Sequence, residues 1–112
     1  MLAVVVPAHD DQDQIGACLK SLHVAAACPR LRGEGTLLIV ALDGCTDRTG
    51  EIARRWGAFT VETSGRDDGT ARALGERFAR EAGARWLAYA EPGSVVPPDW
   101  LHAQVSPRAA AV

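Results

Sequence analysis

The stretch Leu42-Asp43-Gly44-Cys45-Thr46-Asp47-Arg48-Thr49 sets two carboxylates at a junction between two patterns. Before it runs an apolar segment, Leu37-Leu38-Ile39-Val40-Ala41, that reads as a buried strand. After it comes a helical pattern, Glu51-Ile52-Ala53-Arg54-Arg55-Trp56, closed by Gly57. In open α/β sheets, ligands bind outside the carboxyl ends of the strands, where such a junction lies. A carboxylate at that edge can accept hydrogen bonds from a base or a ribose. The plainer alternative is that Asp43 shapes a turn and Asp47 caps the helix.

The elements that must position these groups alternate along the chain. Residues 2–6 read as a buried strand, followed by a helix from about Gln12 to Ala26 with Ile15, Cys18, Leu19 and Leu22 on one face. Asp11 is the expected N-cap, with Gln14 as its capping-box partner. A loop spans Pro29 to Gly35, a second strand 36–41 and a second helix 47–56. Phe59 to Thr63 reads as a short third strand and Ser64 to Gly69 as a loop. A third helix is expected from about Thr70 to Ala82, with Ala71, Leu74, Phe78 and Ala82 inward and Gly83 as its stop. Trp86 to Ala90 reads as a fourth strand, and Pro97-Pro98 introduces a short helix at Asp99-Trp100-Leu101. Residues 106–112 form a tail with little to bury, which leaves one domain over residues 1–105.

Strands alternating with helices at this spacing imply βαβ units and an α/β, Rossmann-like fold: a mainly parallel sheet flanked by helices. Right-handed crossovers then bring every strand-to-helix loop to one edge. Those loops are His9-Asp10-Asp11, Asp43 to Asp47, Ser64 to Gly69 and Glu91 to Ser94, and each carries polar or acidic residues.

Composition narrows the function classes. With 112 residues, 47% of them hydrophobic, the chain suits one small domain with a real core. A net charge of -2, with Lys20 the only lysine and no long run of one sign, carries no nucleic-acid footprint. No signal peptide and no membrane-spanning run is recognisable, so a soluble cytoplasmic protein is expected. Cys18, Cys28 and Cys45 are odd in number and not closely paired, which argues against a disulfide framework or a zinc site. Cys18 falls on the apolar helix face and is expected in the core, and Cys45 is given no chemistry.

Four segments together carry a resemblance. Val4-Val5-Val6-Pro7-Ala8-His9-Asp10-Asp11 is similar to an opening strand Val-Ile-Pro-Ala-Tyr-Asn-Glu, and Asp43-Gly44-Cys45-Thr46-Asp47-Arg48-Thr49 to a loop Asp-Gly-Ser-Thr-Asp-Gly-Thr. Gly69-Thr70-Ala71-Arg72-Ala73-Leu74-Gly75 is similar to a helix start Gly-Ala-Ala-Arg-Asn-Ala-Gly. The segment from Trp86 to Leu101 parallels the strand and loop that hold an Asp-X-Asp metal motif. In order and spacing the chain resembles the N-terminal, nucleotide-sugar-binding half of a family 2 glycosyltransferase of the GT-A fold.

The resemblance implies roles by position. Pro7, Ala8 and His9 would line the base pocket, with His9 where the family has an aromatic that stacks on uracil. Asp43 would accept the imide N–H of the base. Arg72 would meet the diphosphate, helped by the helix N-terminus, and Glu91 would lie near the ribose or a metal. The bland alternatives are a solvated helix arginine and an exposed loop histidine. The expected partner is a nucleotide sugar, UDP-type before others.

Two departures accompany the matches. Glu91-Pro92-Gly93 stands where Asp-X-Asp is expected, so Gly93 removes a side-chain ligand for Mn²⁺ or Mg²⁺ and leaves no assigned metal residue. The acceptor-binding half with the catalytic base has no counterpart in these residues, and His102 is not assigned that role. Sugar transfer is therefore expected only with a partner or a further segment. A non-catalytic nucleotide-binding module and a structural or oligomer-forming remnant are the competing readings. An open sheet edge also leads us to expect a homo-oligomer.

Overall fold

Four short apolar segments pair side by side in the chain, which is described by a computed structural model over residues 1–64 and 68–106. They are β1 (Leu2–Ala8), β2 (Thr36–Asp43), β3 (Phe59–Thr63) and β4 (Trp86–Tyr89), all parallel, in the order β3-β2-β1-β4. The helices are α1 (Ile15–Ala26), α2 (Thr49–Arg55), α3 (Asp68–Glu81) and α4 (Trp100–Val105), with a 3-10 turn at Pro29–Leu31. The expected α/β, Rossmann-like arrangement is what forms.

β1 is central, and its continuous apolar run suits burial on both faces. Leu2, Val4, Val6 and Ala8 point with Leu38, Val40 and Leu42 of β2 into a core closed by α1, α2 and α4. Ala3 and Val5 point with Ile39 and Ala41 to the opposite face, covered by α3. The period of two in the strands thus divides one sheet between two helix layers. On the α3 side the helix presents the small residues Ala71, Gly75 and Ala79 to the sheet. A Cβ on Gly75 would lie 2.8 Å from Val5 Cγ1, so glycine sets how closely α3 approaches β1.

Several boundaries depart from the sequence reading. α1 begins at Ile15, because the Asp11 carbonyl accepts the N–H groups of Gln14 and Ile15 in a preceding turn. Asp11 does not cap it: its carboxylate accepts the His9 N–H at 2.8 Å instead. α2 is shorter than expected, and β2 runs on to Asp43, where pairing with β1 and β3 continues. α3 starts at Asp68, Ala82 is exposed, Ala79 takes the inward place, and Leu74 and Phe78 are half-buried. The short helix after Pro97-Pro98 extends to Val105. Of the loop expected at Ser64–Gly69, residues 65–67 lie outside the described residues, as do residues 107–112 of the expected tail. Among the described residues no helix is long and apolar enough to cross a membrane. All three cysteines are free, with Cys18 buried as expected.

Candidate functional site

The parallel order puts the carboxyl ends of β1 and β2 side by side, so the loops after Ala8 and Asp43 face each other. They are laced together. Asp10 takes a left-handed conformation at φ 48° and turns its carboxylate onto the neighbouring loop. There Oδ1 accepts the N–H of Thr46 at 2.8 Å and of Asp47 at 3.3 Å. In return Gln12 N–H donates to Asp47 Oδ2 at 3.1 Å, and Asp11 N–H donates to Thr49 Oγ1 at 2.9 Å. Asp47 also accepts the Thr49 N–H at 2.9 Å in a turn just ahead of α2, whose N-cap position is Arg48 and carries no side-chain cap bond, so Asp47 shapes the loop and does not cap the helix as expected. Burial pushes the Asp47 carboxyl up, but the bonds from the Thr49 hydroxyl, Thr49 N–H and Gln12 N–H outweigh it and hold it below the usual carboxylate range.

Between these loops, the start of α3 and the β4–α4 loop lies a cleft of about 500 Å³. Its lining brings together Pro7, Ala8, His9, Asp43, Arg72 and Glu91, all six residues singled out from the sequence. It also takes in Asp11, Gln14, Ala71 and the Pro92-Gly93 turn. A smaller hollow of about 230 Å³ lies on the outer side of the Gly44–Asp47 loop, where Arg48 and Arg54 face Glu51 and Glu62, a mixed lining that favours neither sign. His102 lines a third hollow with Arg30, Arg32 and Arg85, away from the cleft.

Asp43 is 6% exposed at the floor of the cleft, and Thr63 Oγ1 donates to its Oδ1 at 3.2 Å. That bond engages only one of the carboxylate's two oxygens. His9 Nδ1 sits 2.6 Å from the Asp43 carbonyl oxygen, and because a carbonyl only accepts, Nδ1 carries the proton. That bond, followed by the charge of Asp10 with its Oδ2 3.8 Å from Nε2, raises the His9 pKa above its ordinary value. The His9 ring is mostly exposed, so it forms a rim and not a buried wall.

Arg72, in the first turns of α3, is exposed, and its guanidinium carbon lies 5.1 Å from the centre of the Tyr89 ring. Among the described residues it is the only arginine or lysine lining the cleft. Glu91 is exposed at the side chain, while its carbonyl accepts the Cys18 S–H at 3.3 Å and the Ser94 N–H at 3.0 Å. The turn is thereby fixed through the main chain. Tyr89 and the Thr63 hydroxyl carried no signal in the sequence: one reads as a strand aromatic, the other as a β-branched strand residue.

For a divalent ion, the turn offers one exposed carboxylate at Glu91, then a proline and a glycine. Hard divalent ions take several oxygen ligands, so this donor set does not hold one by itself. One other group of ligand atoms lies within 4.8 Å of one another among the described residues: Asp10, Cys45 and Asp47. Its carboxylates already serve the Thr46, Asp47 and Thr49 N–H groups, and burial raises the Cys45 thiol pKa, so loop architecture accounts for it.

Solved structures share this architecture. S. aureus TarS 1-349 superposes with a TM-score of 0.73 at 18% identity, over 98% of this chain and 31% of that one. The same protein in complex with UDP gives a TM-score of 0.72 at 19% identity, over 99% and 31%. Its complex with UDP-GlcNAc gives 0.67 at 17%, over 98% and 30%. At these identities the likeness concerns the fold, and the chain spans about a third of the length of TarS 1-349. No curated protein sequence matches. The sequence profile described as Glycosyl transferase family 2 matches residues 3–109, nearly the whole chain, and the chain belongs to that family.

Proposed function

We propose that the cleft binds the nucleotide of a nucleoside diphosphate sugar, with UDP-type donors first, and that the chain serves as the donor-binding portion of a glycosyl transferase. The observation that carries this reading is the pairing of a buried carboxylate, Asp43, with a lone guanidinium, Arg72, across one cleft at the carboxyl edge of a parallel sheet. That pairing suits a ligand with a hydrogen-bond donor at one end and an anion at the other. Asp43 accepts the imide N–H of the base, with Pro7 and Ala8 beside it and His9 at the rim. Arg72 meets the diphosphate, whose geometry matches the guanidinium fork. Glu91 accepts from the ribose hydroxyls. The UDP and UDP-GlcNAc complexes of the structurally similar TarS support the ligand class.

These roles bind and orient a donor. A divalent ion bound with the diphosphate would offset charge on the departing nucleotide. No residue of the cleft is assigned as the base that activates an acceptor, so sugar transfer belongs to an assembly completed by another segment or partner. Gly93 favours a second reading, a nucleotide-binding module without transfer. A two-fold homodimer covering the open edge at β4, with its exposed Trp86, is part of the proposal. So is a reducing, cytoplasmic setting, which three free cysteines suit.

Isothermal titration with UDP, GDP and dTDP, and with their sugars, tests the reading. Selective uptake of uridine nucleotides is the expected result. Binding of none of them leaves only the structural remnant, and light scattering that finds monomer alone at micromolar concentration removes the dimer.

A further inference from the structure

Arg72 is a long, exposed side chain, and a free arginine there would sample many rotamers. It is instead held over an aromatic ring, at 5.1 Å from the centre of Tyr89. The register explains why. Tyr89 pairs with Val5, whose side chain faces α3, so Tyr89 stands on the same side of the sheet. Arg72 and Glu76 are four residues apart on α3 and share one helix face. The Tyr89 hydroxyl donates to Glu76 Oε1, and Glu76 Oε2 in turn pairs with Arg80 at 3.7 Å. One helix face therefore meets both the face of the ring, through Arg72, and its hydroxyl, through Glu76.

We propose that Tyr89 is a positioning residue for diphosphate recognition: its ring holds the Arg72 guanidinium at the cleft, and Glu76 holds the ring. Tyr89 does not line the cleft, so it acts through Arg72 and not by touching the ligand. The inference rests on the nucleotide reading and adds to it the element that prepares the phosphate end. An arginine already confined loses less freedom on meeting a phosphate, which is how preorganisation raises affinity. Contacts of this kind at exposed sites correspond to about a 2- to 5-fold change in affinity.

The test compares UDP with uridine, because only UDP reaches Arg72 in this arrangement. Titration of wild type, Tyr89→Phe, Tyr89→Leu and Tyr89→Thr with both ligands gives a preference ratio for each protein. Tyr89→Phe keeps the ring and should keep most of the preference. Tyr89→Leu and Tyr89→Thr should each lower UDP affinity about 2- to 5-fold and leave uridine unchanged. Either truncation suffices if the other does not fold. Adding Arg72→Ala to the truncation should cost little beyond Arg72→Ala alone. An unchanged ratio in the truncated proteins, an equal loss for uridine, or a full loss in Tyr89→Phe would overturn the proposal while UDP binding by wild type leaves the nucleotide reading intact. Failure of wild type to bind UDP removes both.

Discussion

His9 Nδ1–H donates to the main-chain carbonyl of Asp43 at 2.6 Å, so the rim of the cleft is fastened to the strand end that carries its floor. The two residues lie 34 positions apart in sequence, and β1–β2 pairing brings them together through Ala8 and Leu42. The same residue, Asp43, thus serves the cleft through its side chain and holds the rim through its backbone.

That bond gives His9 a pH signature. The Asp43 carbonyl first, and the Asp10 charge second, favour the protonated ring and raise its pKa above 6.5. A raised histidine contributes stability that is fully present below its unfolded pKa and disappears as pH rises through the folded one. The protonated ring also adds positive charge to the cleft that is proposed to take an anionic ligand. UDP affinity should therefore fall as pH rises through and above 6.5, with Asp10, Asp11 and Asp43 the charged groups around the ring. The terminal phosphate of UDP titrates nearby, so the readout is the difference between wild type and His9→Gln. Parallel pH profiles for the two proteins would remove His9 from the site.

Asp43→Ala should weaken UDP binding by roughly 1.5–3 kcal/mol, the value of a hydrogen bond to a charged group. The substitution also deletes the acceptor of the Thr63 hydroxyl, so Thr63→Val is the control: it removes that bond and keeps the carboxylate. Calorimetry should show a large loss for Asp43→Ala and a small one for Thr63→Val. Equal losses would mean that Asp43 matters through local structure alone.

Gly75→Ala probes the seat of α3 on the sheet. Alanine gains up to about 1 kcal/mol of helix propensity over glycine. Its Cβ, however, would stand 2.8 Å from Val5 Cγ1 and 3.5 Å from Cγ2. Val5 is fully buried in the central strand, and a β-branched side chain has little rotational freedom to yield. Overpacking of this kind costs about 1–3 kcal/mol, so the net change should be a loss of about 1 kcal/mol. Thermal unfolding of Gly75→Ala at or above the wild-type midpoint would show that the helix simply lifts.

Much of this organisation is legible before any coordinates. Apolar runs at βαβ spacing force a parallel sheet, and a parallel sheet forces Asp43, His9, Arg72 and Glu91 to one edge. That edge is why six residues scattered from Pro7 to Glu91 line a single cleft. What stays hidden depends on conformation that residue type does not declare. Asp11 reads as the helix cap and Asp10 carries no distinct signal, yet a φ of 48° at Asp10 turns its carboxylate onto the Thr46 and Asp47 amides. The Asp11 side chain then turns back to His9, and the expected cap is lost. The Tyr89 platform is hidden for another reason: it needs the β4–β1 register and the phase of α3 at once.

The Gly93 turn offers a direct test of the proposal that the metal motif is altered here. Gly93 has no positive φ, so an L-residue fits its backbone without strain. A Cβ there would lie 3.1 Å from Gln14 Oε1 and 3.4 Å from its Cδ. Those atoms end a flexible, exposed side chain, which can yield by a few tenths of an ångström. Gly93→Asp should therefore fold normally and set a second carboxylate near Glu91. With phosphate oxygens and water, that brings the donor set towards what Mn²⁺ or Mg²⁺ requires. Wild type should bind UDP with little dependence on Mn²⁺, whereas Gly93→Asp should bind it more tightly with Mn²⁺ than without. Titrating both proteins with UDP in the presence and absence of Mn²⁺ decides the matter. Strong Mn²⁺ dependence in wild type would show that Glu91 and the nucleotide alone hold the ion, and would restore the chain to metal-assisted donor binding. Absence of any Mn²⁺ effect in Gly93→Asp would instead mean that the β4–α4 turn does not lie beside the diphosphate.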